Sequence, residues 1–238
     1  MKYITKIFFS LLLVLSLIGC SSDEDNTATQ IVSANYKYLA LGDSYTFGQN
    51  VCETCRFPEQ LKDSLGQYLN EADTFQIKLI AQTGWTTNNL KNAIAAGAIT
   101  NDYDLVTLLI GVNNQYQGQP FSVYEQEFPE LVAIAITKAK GDKNNVIVVS
   151  IPDYAYTPFG QGSSNPSNIS AQLDAYNAFA QNYCLANNIT FINITDITRL
   201  GLEQPELVAN DGLHPSTVAY SKFVELILPV AKIKLENY

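Results

Sequence analysis

The sequence predicts an α/β domain in which helices cover both faces of a parallel sheet, and three observations carry that expectation. From Tyr36 onward, short β-rich runs alternate with longer helical patterns, as happens when parallel strands are joined by crossover helices. Runs such as Leu105–Ile110 and Val146–Val149 have no polar side, as strands buried on both faces require. The length of 238 residues suits one such domain better than two, since single cores stop growing near about 250–300 residues.

In chain order, strands are expected at Tyr38–Leu41, Phe75–Ile80, Leu105–Ile110, Val146–Ile151 and Thr190–Ile192. Helices are expected at Pro58–Asn70, Asn88–Ala96, Val123–Lys140, Ala171–Ala186 and Thr217–Leu235, giving a helix, sheet, helix sandwich. Gly160–Ser170, rich in Gly, Ser, Asn and Pro, is expected to be a loop, and its place after a strand's carboxyl end makes it a candidate rim of a site. Apolar residues make up 47% of the chain and charged residues 16%, enough for a core and too little charge for a disordered chain.

Fourteen basic against 23 acidic residues leave a net charge of −9, which repels phosphate backbones and argues against nucleic acid or acidic lipid headgroups as partners. The chain has 1 histidine, so any imidazole chemistry must use His214, and a zinc site built from a histidine cluster is excluded.

Lys2 and Lys6 precede an apolar run from Ile7 to Ile18, and small Gly19 stands immediately before Cys20, which is the layout of a secretory signal. The run is too short for a spanning helix, which needs about 20 apolar residues. Leu17-Ile18-Gly19-Cys20 resembles the lipobox of bacterial lipoproteins, which implies removal of residues 1–19, acylation of Cys20, and attachment by lipid in the cell envelope, on the periplasmic or surface face of the outer membrane. Losing Lys2 and Lys6 and no acid deepens the charge from −9 to −11. Residues 20–34 have little to bury and read as a flexible tether, and the acids just after Cys20 resemble the surface-export signals of some Bacteroidota lipoproteins.

Cys52, Cys55 and Cys184 remain, in a compartment that permits disulfides. A redox role for Cys52-Glu53-Thr54-Cys55 would need the strand-to-helix turn that Ser44 already occupies. A local structural bridge between Cys52 and Cys55 is preferred, with pairing of Cys52 to Cys184 left open. Cys184 lies in an apolar-spaced helical stretch and suits a buried small hydrophobe.

Ligands of an open parallel sheet collect at the carboxyl ends of its strands, so the residues just after each strand are the candidates for chemistry. After the first comes Gly42-Asp43-Ser44-Tyr45, with Ser44 a candidate nucleophile. Asp43 suits a structural role, bonding nearby backbone groups. After the second, in Thr83-Gly84-Trp85, Gly84 can bring a backbone N–H to a substrate oxygen. After the third, in Gly111-Val112-Asn113-Asn114, the Asn113 carboxamide can point at a developing oxyanion. Near the C-terminus, Asp211-Gly212-Leu213-His214-Pro215 puts an acid three residues before the imidazole, ahead of a helix, where Asp211 can hold one ring nitrogen while the other takes a proton from Ser44.

These blocks, in this order, resemble the SGNH or GDSL family of serine esterases and lipases, and the resemblance spans residues 38–229. It implies an SGNH hydrolase domain over 35–238 with a flavodoxin-like sheet of five parallel strands between two helical layers. It implies Ser44 as nucleophile, His214 as base and Asp211 as the acid that orients it. The oxyanion hole would be formed by the Ser44 N–H, Gly84 and Asn113, with no cofactor and no metal. Two departures stand out: Asn114 where the family often has Asp, and Tyr45 where the Gly-Asp-Ser-Leu form has Leu.

Tyr45, Trp85, Tyr116, Tyr154, Tyr156 and Phe159 lie near the expected strand ends and are candidates to wall a substrate pocket or form a platform for a sugar. The chain lacks the long insertions expected of a lid, which favours short acyl or acetyl esters, including those of carbohydrates. A lysophospholipase or thioesterase of the same mechanism is the alternative, and a glycan-binding surface lipoprotein without turnover is the alternative of another class.

Overall fold

The computed structural model describes residues 33–236. The leader expected at 1–19, Cys20, and the tether up to residue 32 lie outside the described residues.

β1 (Asn35–Gly42) is hydrogen-bonded to β2 (Thr74–Ala81) on one side and β3 (Leu105–Leu109) on the other, with β4 (Val146–Val149) and β5 (Thr190–Ile192) continuing beyond β3. All pairs are parallel, in the order β2-β1-β3-β4-β5, so the winding direction reverses between β1 and β3. A crevice at the carboxyl ends of those two strands is where such a fold collects ligands. Gly42, the last residue of β1, pairs with Leu109, the last of β3, so the segments following both strands start side by side.

The central strands hold their place because nothing on them needs water. Tyr38–Leu41 and every residue of β3 and β4 are buried, and the one hydroxyl pair among them, Tyr38 Oη and Thr107 Oγ1, is satisfied at 2.8 Å. β1 starts three residues earlier than its apolar run, since Asn35–Lys37 pair with Thr74–Gln76 through backbone groups while their side chains stay partly exposed. β2, at the edge, alternates exposed and partly buried positions, and β5 is only 3 residues long, which limits the unpaired edge.

On one side of the sheet, α2 (Phe57–Gly66) packs against α9 (Thr217–Glu236), with the Phe57 and Tyr220 rings 6.2 Å apart. The one-turn helix α8 (Thr195–Thr198), just after β5, also touches α9. On the other side, α3 (Thr87–Ala96) and α7 (Pro166–Asn187) both pack on α5 (Phe121–Lys138). There Tyr124 meets Tyr176 at 4.5 Å and Phe121 meets Tyr176 at 4.9 Å. β3 touches α5 and α9 alike, which fixes the three-layer α/β/α sandwich.

Several boundaries differ from the sequence reading. α2 stops at Gly66, short of Asn70, and β4 ends at Val149, short of Ile151. Gly160–Ser170 is not a loop throughout. A short helix, α6 (Pro158–Gln161), enters it from one end, and α7 begins at Pro166, with Asn165 Oδ1 accepting the Asn168 N–H at 3.1 Å. The Pro and Asn that suggest a loop are the first helical residue and the cap of α7.

Candidate active site

The turn that carries Ser44 is built by three consecutive residues. A Cβ on Gly42 would lie 2.1 Å from Thr46 Oγ1 and 2.5 Å from the Leu109 carbonyl oxygen, so only glycine lets β1 turn here. Asp43 then caps α1 (Ser44–Phe47): its Oδ1 accepts the Tyr45 N–H at 3.0 Å and its carbonyl accepts Phe47 N–H at 2.9 Å. Ser44 is the first helical residue, so helix geometry gives its N–H no intrahelical acceptor, and the donor is left for a ligand. Gly48, at φ +80°, ends the helix after one turn.

Asp43 is fully buried, and its second oxygen, Oδ2, has no hydrogen-bond partner. Burial pushes its carboxyl up to about 7, against the opposing pull of the Tyr45 N–H.

Asp211 and His214 sit on a tight loop whose base is closed by the antiparallel bridge between Val208 and Pro215 and by Ala209 N–H donating to the His214 carbonyl at 2.8 Å. Gly212 takes φ +70° at the tip. Asp211 Oδ1 accepts the N–H groups of Leu213 and His214, both at 3.0 Å, and its Oδ2 meets His214 Nδ1 at 2.6 Å. Partial burial raises the Asp211 carboxyl, but the His214 N–H, the imidazole and the Leu213 N–H outweigh it and hold the group below the usual carboxylate range. An ionised carboxylate at Nδ1 can only accept, so that nitrogen carries the proton and Nε2 is left as the acceptor.

The two other polar segments follow β2 and β3. Gly84 lies at φ +84° with open space where a Cβ would be, and its carbonyl accepts from Gln117 Nε2 at 2.9 Å. Asn113, on α4 (Val112–Tyr116), donates one Nδ2 hydrogen to the Trp85 carbonyl at 3.0 Å, which orients the amide and leaves its second hydrogen uncommitted by that bond. Asn114 points into the interior. Its Oδ1 accepts the Thr87 N–H at 3.0 Å, and its Nδ2 donates to Thr87 Oγ1 at 2.6 Å and to Gln119 Oε1 at 2.9 Å. The Thr87 hydroxyl donates its hydrogen to Glu127 Oε2, so the group facing the Thr87 lone pair must be a donor. That is a physical reason for an amide, not a carboxylate, at position 114.

Ser44, Gly84, Asn113 and His214 line one cavity of about 250 Å3. Tyr45, Tyr116, Tyr154 and Phe159 are among its walls, together with Thr83, Val112 and Leu213, which the sequence reading did not single out as pocket residues. Val112 and Leu213 each directly precede a polar site residue, a position that could have flagged them. Trp85 and Tyr156 are not among the walls. Trp85 packs against the core and contributes its carbonyl to Asn113, while Tyr156 lies under the Arg199 guanidinium, 5.9 Å from ring centre to Cζ. Tyr116 and Phe159 are 57% and 44% exposed, and with Tyr154 they form a cluster of rings 6.0–6.4 Å apart at the cavity mouth.

Cys52 and Cys55 are joined in a disulfide across a sequence separation of 3. Cys184 is free, on the buried side of α7, and burial pushes its thiol up to about 12.

A profile of the GDSL-like lipase/acylhydrolase family matches residues 40–222. Among solved structures, a member of the lipolytic protein G-D-S-L family from Veillonella parvula is 18% identical with a TM-score of 0.63, covering 82% of this chain and 97% of that one. A lipase/acylhydrolase from Enterococcus faecalis is 19% identical (TM-score 0.62; 84% and 95% covered). An acetylxylan esterase from Geobacillus stearothermophilus is 16% identical (TM-score 0.60; 84% and 95% covered). At these identities the structures speak to the fold. No curated protein matches the chain.

Proposed function

The chain belongs to the GDSL-like lipase/acylhydrolase family, and on that premise we propose that it hydrolyses short-chain acyl or acetyl esters through an acyl-enzyme on Ser44. His214 Nε2 takes the Ser44 proton as Oγ attacks the ester carbonyl, and Asp211 holds the opposite ring nitrogen and stabilises the imidazolium that forms. The Ser44 N–H, the Gly84 N–H and the second Asn113 Nδ2 hydrogen bind the oxyanion. His214 then gives its proton to the leaving alcohol, the ester bond breaks, and water attacks the acyl-serine by the same route in reverse. The observation that carries this reading is the 2.6 Å contact between Asp211 Oδ2 and His214 Nδ1, on a loop whose histidine shares one cavity with Ser44.

A cavity of about 250 Å3 supports a small acyl group. The exposed rings of Tyr116 and Phe159 at its mouth suit the flat faces of a sugar as leaving group, in keeping with the acetylxylan esterase among the similar folds. For location we propose lipid attachment at Cys20 in the bacterial cell envelope, supported by the Lys2, Lys6, Ile7–Ile18 and Gly19-Cys20 layout; metabolic labelling with a fatty acid, lost in Cys20→Ala, tests it.

The functional test is hydrolysis of p-nitrophenyl esters from acetate to palmitate, and of acetylated xylo-oligosaccharides, by residues 35–238 with Ser44→Ala as control. Turnover of acetate and of the sugar ester, lost by roughly 10⁴–10⁶-fold in Ser44→Ala, is expected. An optimum at long chains would replace this reading with a lysophospholipase or thioesterase. Xylo-oligosaccharide binding with no turnover of any ester would replace it with a binding protein.

A further inference from the structure

The segment between α1 and α2 reaches two other parts of the site. Gln49 Oε1 accepts from Thr83 Oγ1 at 2.6 Å, next to Gly84. Asn50, its neighbour, holds one terminal atom of its amide 2.9 Å from the Asp211 backbone nitrogen and 3.2 Å from that of Asn210; both are N–H donors, so the amide is assigned with its oxygen, the acceptor, at that position. Asn50 stands at φ +66°, a left-handed conformation that Asn tolerates and most side chains do not.

The segment is itself held tightly. Val51 N–H donates to the Gly48 carbonyl at 3.2 Å, the Cys52–Cys55 bridge closes the turn that follows, and Gln60 Nε2 donates to the Cys55 carbonyl at 2.5 Å. Arg56 Nη1 reaches back to the Phe47 carbonyl at 3.4 Å. One end of this braced turn is continuous with the helix that carries Ser44.

We propose that Asn50 is a positioning residue for the reaction: by accepting the Asp211 and Asn210 N–H groups, it fixes the Asp211–His214 loop at the correct distance from Ser44. The proposal rests on the reading of Ser44, Asp211 and His214 as the triad. Opposite it, Phe159 N–H donates to the Gly212 carbonyl at 2.9 Å, so the loop tip is held from two sides. A shift of about 1 Å between base and nucleophile is enough to cost roughly 10²-fold in rate, which makes a hydrogen bond to a partly exposed loop matter for kcat even where it adds little to stability.

The test is a pair of substitutions that separates the acceptor from the backbone conformation. Asn50→Gly tolerates the left-handed φ and removes the acceptor, while Asn50→Asp tolerates it and keeps an oxygen for both N–H groups. With p-nitrophenyl acetate, Asn50→Gly is expected to lower kcat at least fivefold with KM changed less than twofold, and Asn50→Asp to recover most of the loss. His214→Ala and Ser44→Ala are measured alongside. If both of these abolish turnover while Asn50→Gly leaves kcat unchanged, or if Asn50→Asp is as impaired as Asn50→Gly, the positioning role is wrong and the triad stands. If His214→Ala retains full turnover, the triad reading and the proposal fail together.

Discussion

The ring of Tyr45, the residue after Ser44, lies 5.7 Å from the imidazole of His214, centroid to centroid, at an interplanar angle of 60°. The contact gives the departure from Leu at this position a physical consequence: a buried aromatic face packs on the His214 imidazole. Tyr45→Leu should fold, lose about 1–3 kcal/mol of stability through the lost ring contact and the space left behind, and lower kcat more than it alters KM. Thermal melting and p-nitrophenyl acetate kinetics check both; a variant with wild-type kcat would show that the ring only fills space.

Asp43 makes stability depend on pH in a defined direction. Its folded-state carboxyl titrates at about 7, above the ordinary 3.8 of the unfolded chain, so between those values the native state binds a proton that the unfolded state has released. Stability therefore falls as pH rises from about 4 to about 7, by an amount on the order of 4 kcal/mol from this group alone. Urea unfolding of wild type and Asp43→Asn at pH 4.5, 6 and 8 should give curves whose difference grows in favour of the variant with pH. Parallel pH dependences would mean that Asp43 is ionised throughout.

Asn114→Asp, although it restores the residue common in the family, should destabilise this chain by about 1–3 kcal/mol at neutral pH. The carboxylate would face Thr87 Oγ1, whose proton is committed to Glu127, and the Gln119 oxygen, replacing two donated hydrogen bonds with repulsion. Pairing it with Glu127→Gln should recover part of the loss, because the Thr87 proton is then free to turn toward the new carboxylate; a double-mutant cycle in urea measures the coupling.

The Cys52–Cys55 bridge closes so small a loop that chain entropy gives it only about 2 kcal/mol. Reduction, or the double change Cys52→Ser and Cys55→Ser, should lower Tm by about 4–8 °C and reduce kcat in the same direction as Asn50→Gly. Calorimetry and kinetics with and without dithiothreitol read both effects, and unchanged kcat on reduction would detach the bridge from the site.

Strands such as β3 and β4 were legible because both faces are apolar, and the long helices because their pattern runs over many turns. Ser44, Asp211 and His214 stood out through their order along the chain, and the structure brings Ser44 and His214 to one cavity and Asp211 to the imidazole. The 4-residue and 5-residue helices that present Ser44 and Asn113 were not legible, since one turn has no periodicity. The side chains of Trp85 and Tyr156 could not be told from those of Tyr116 and Phe159, because all are aromatics near strand ends and only packing decides which face the cavity. Asn50 left no signal at all, being an exposed polar residue whose acceptor role depends on backbone N–H groups about 160 positions away.

The pairing of Gly42 with Leu109 divides the site into parts of unequal permanence. Ser44 and Asn113 follow adjacent buried strands within a few residues of that pair, so their separation is tied closely to the sheet. His214 stands on a loop held by one bridge and a few hydrogen bonds outside the sheet, which can open by itself at a fraction of the global cost. Amide exchange at Leu41 and Leu108 should report whole-molecule unfolding, whereas Leu213 and Ala209 exchange by local fluctuation. In rising urea, turnover should fade while far-ultraviolet circular dichroism is still native, because His214 leaves its place before Ser44 does.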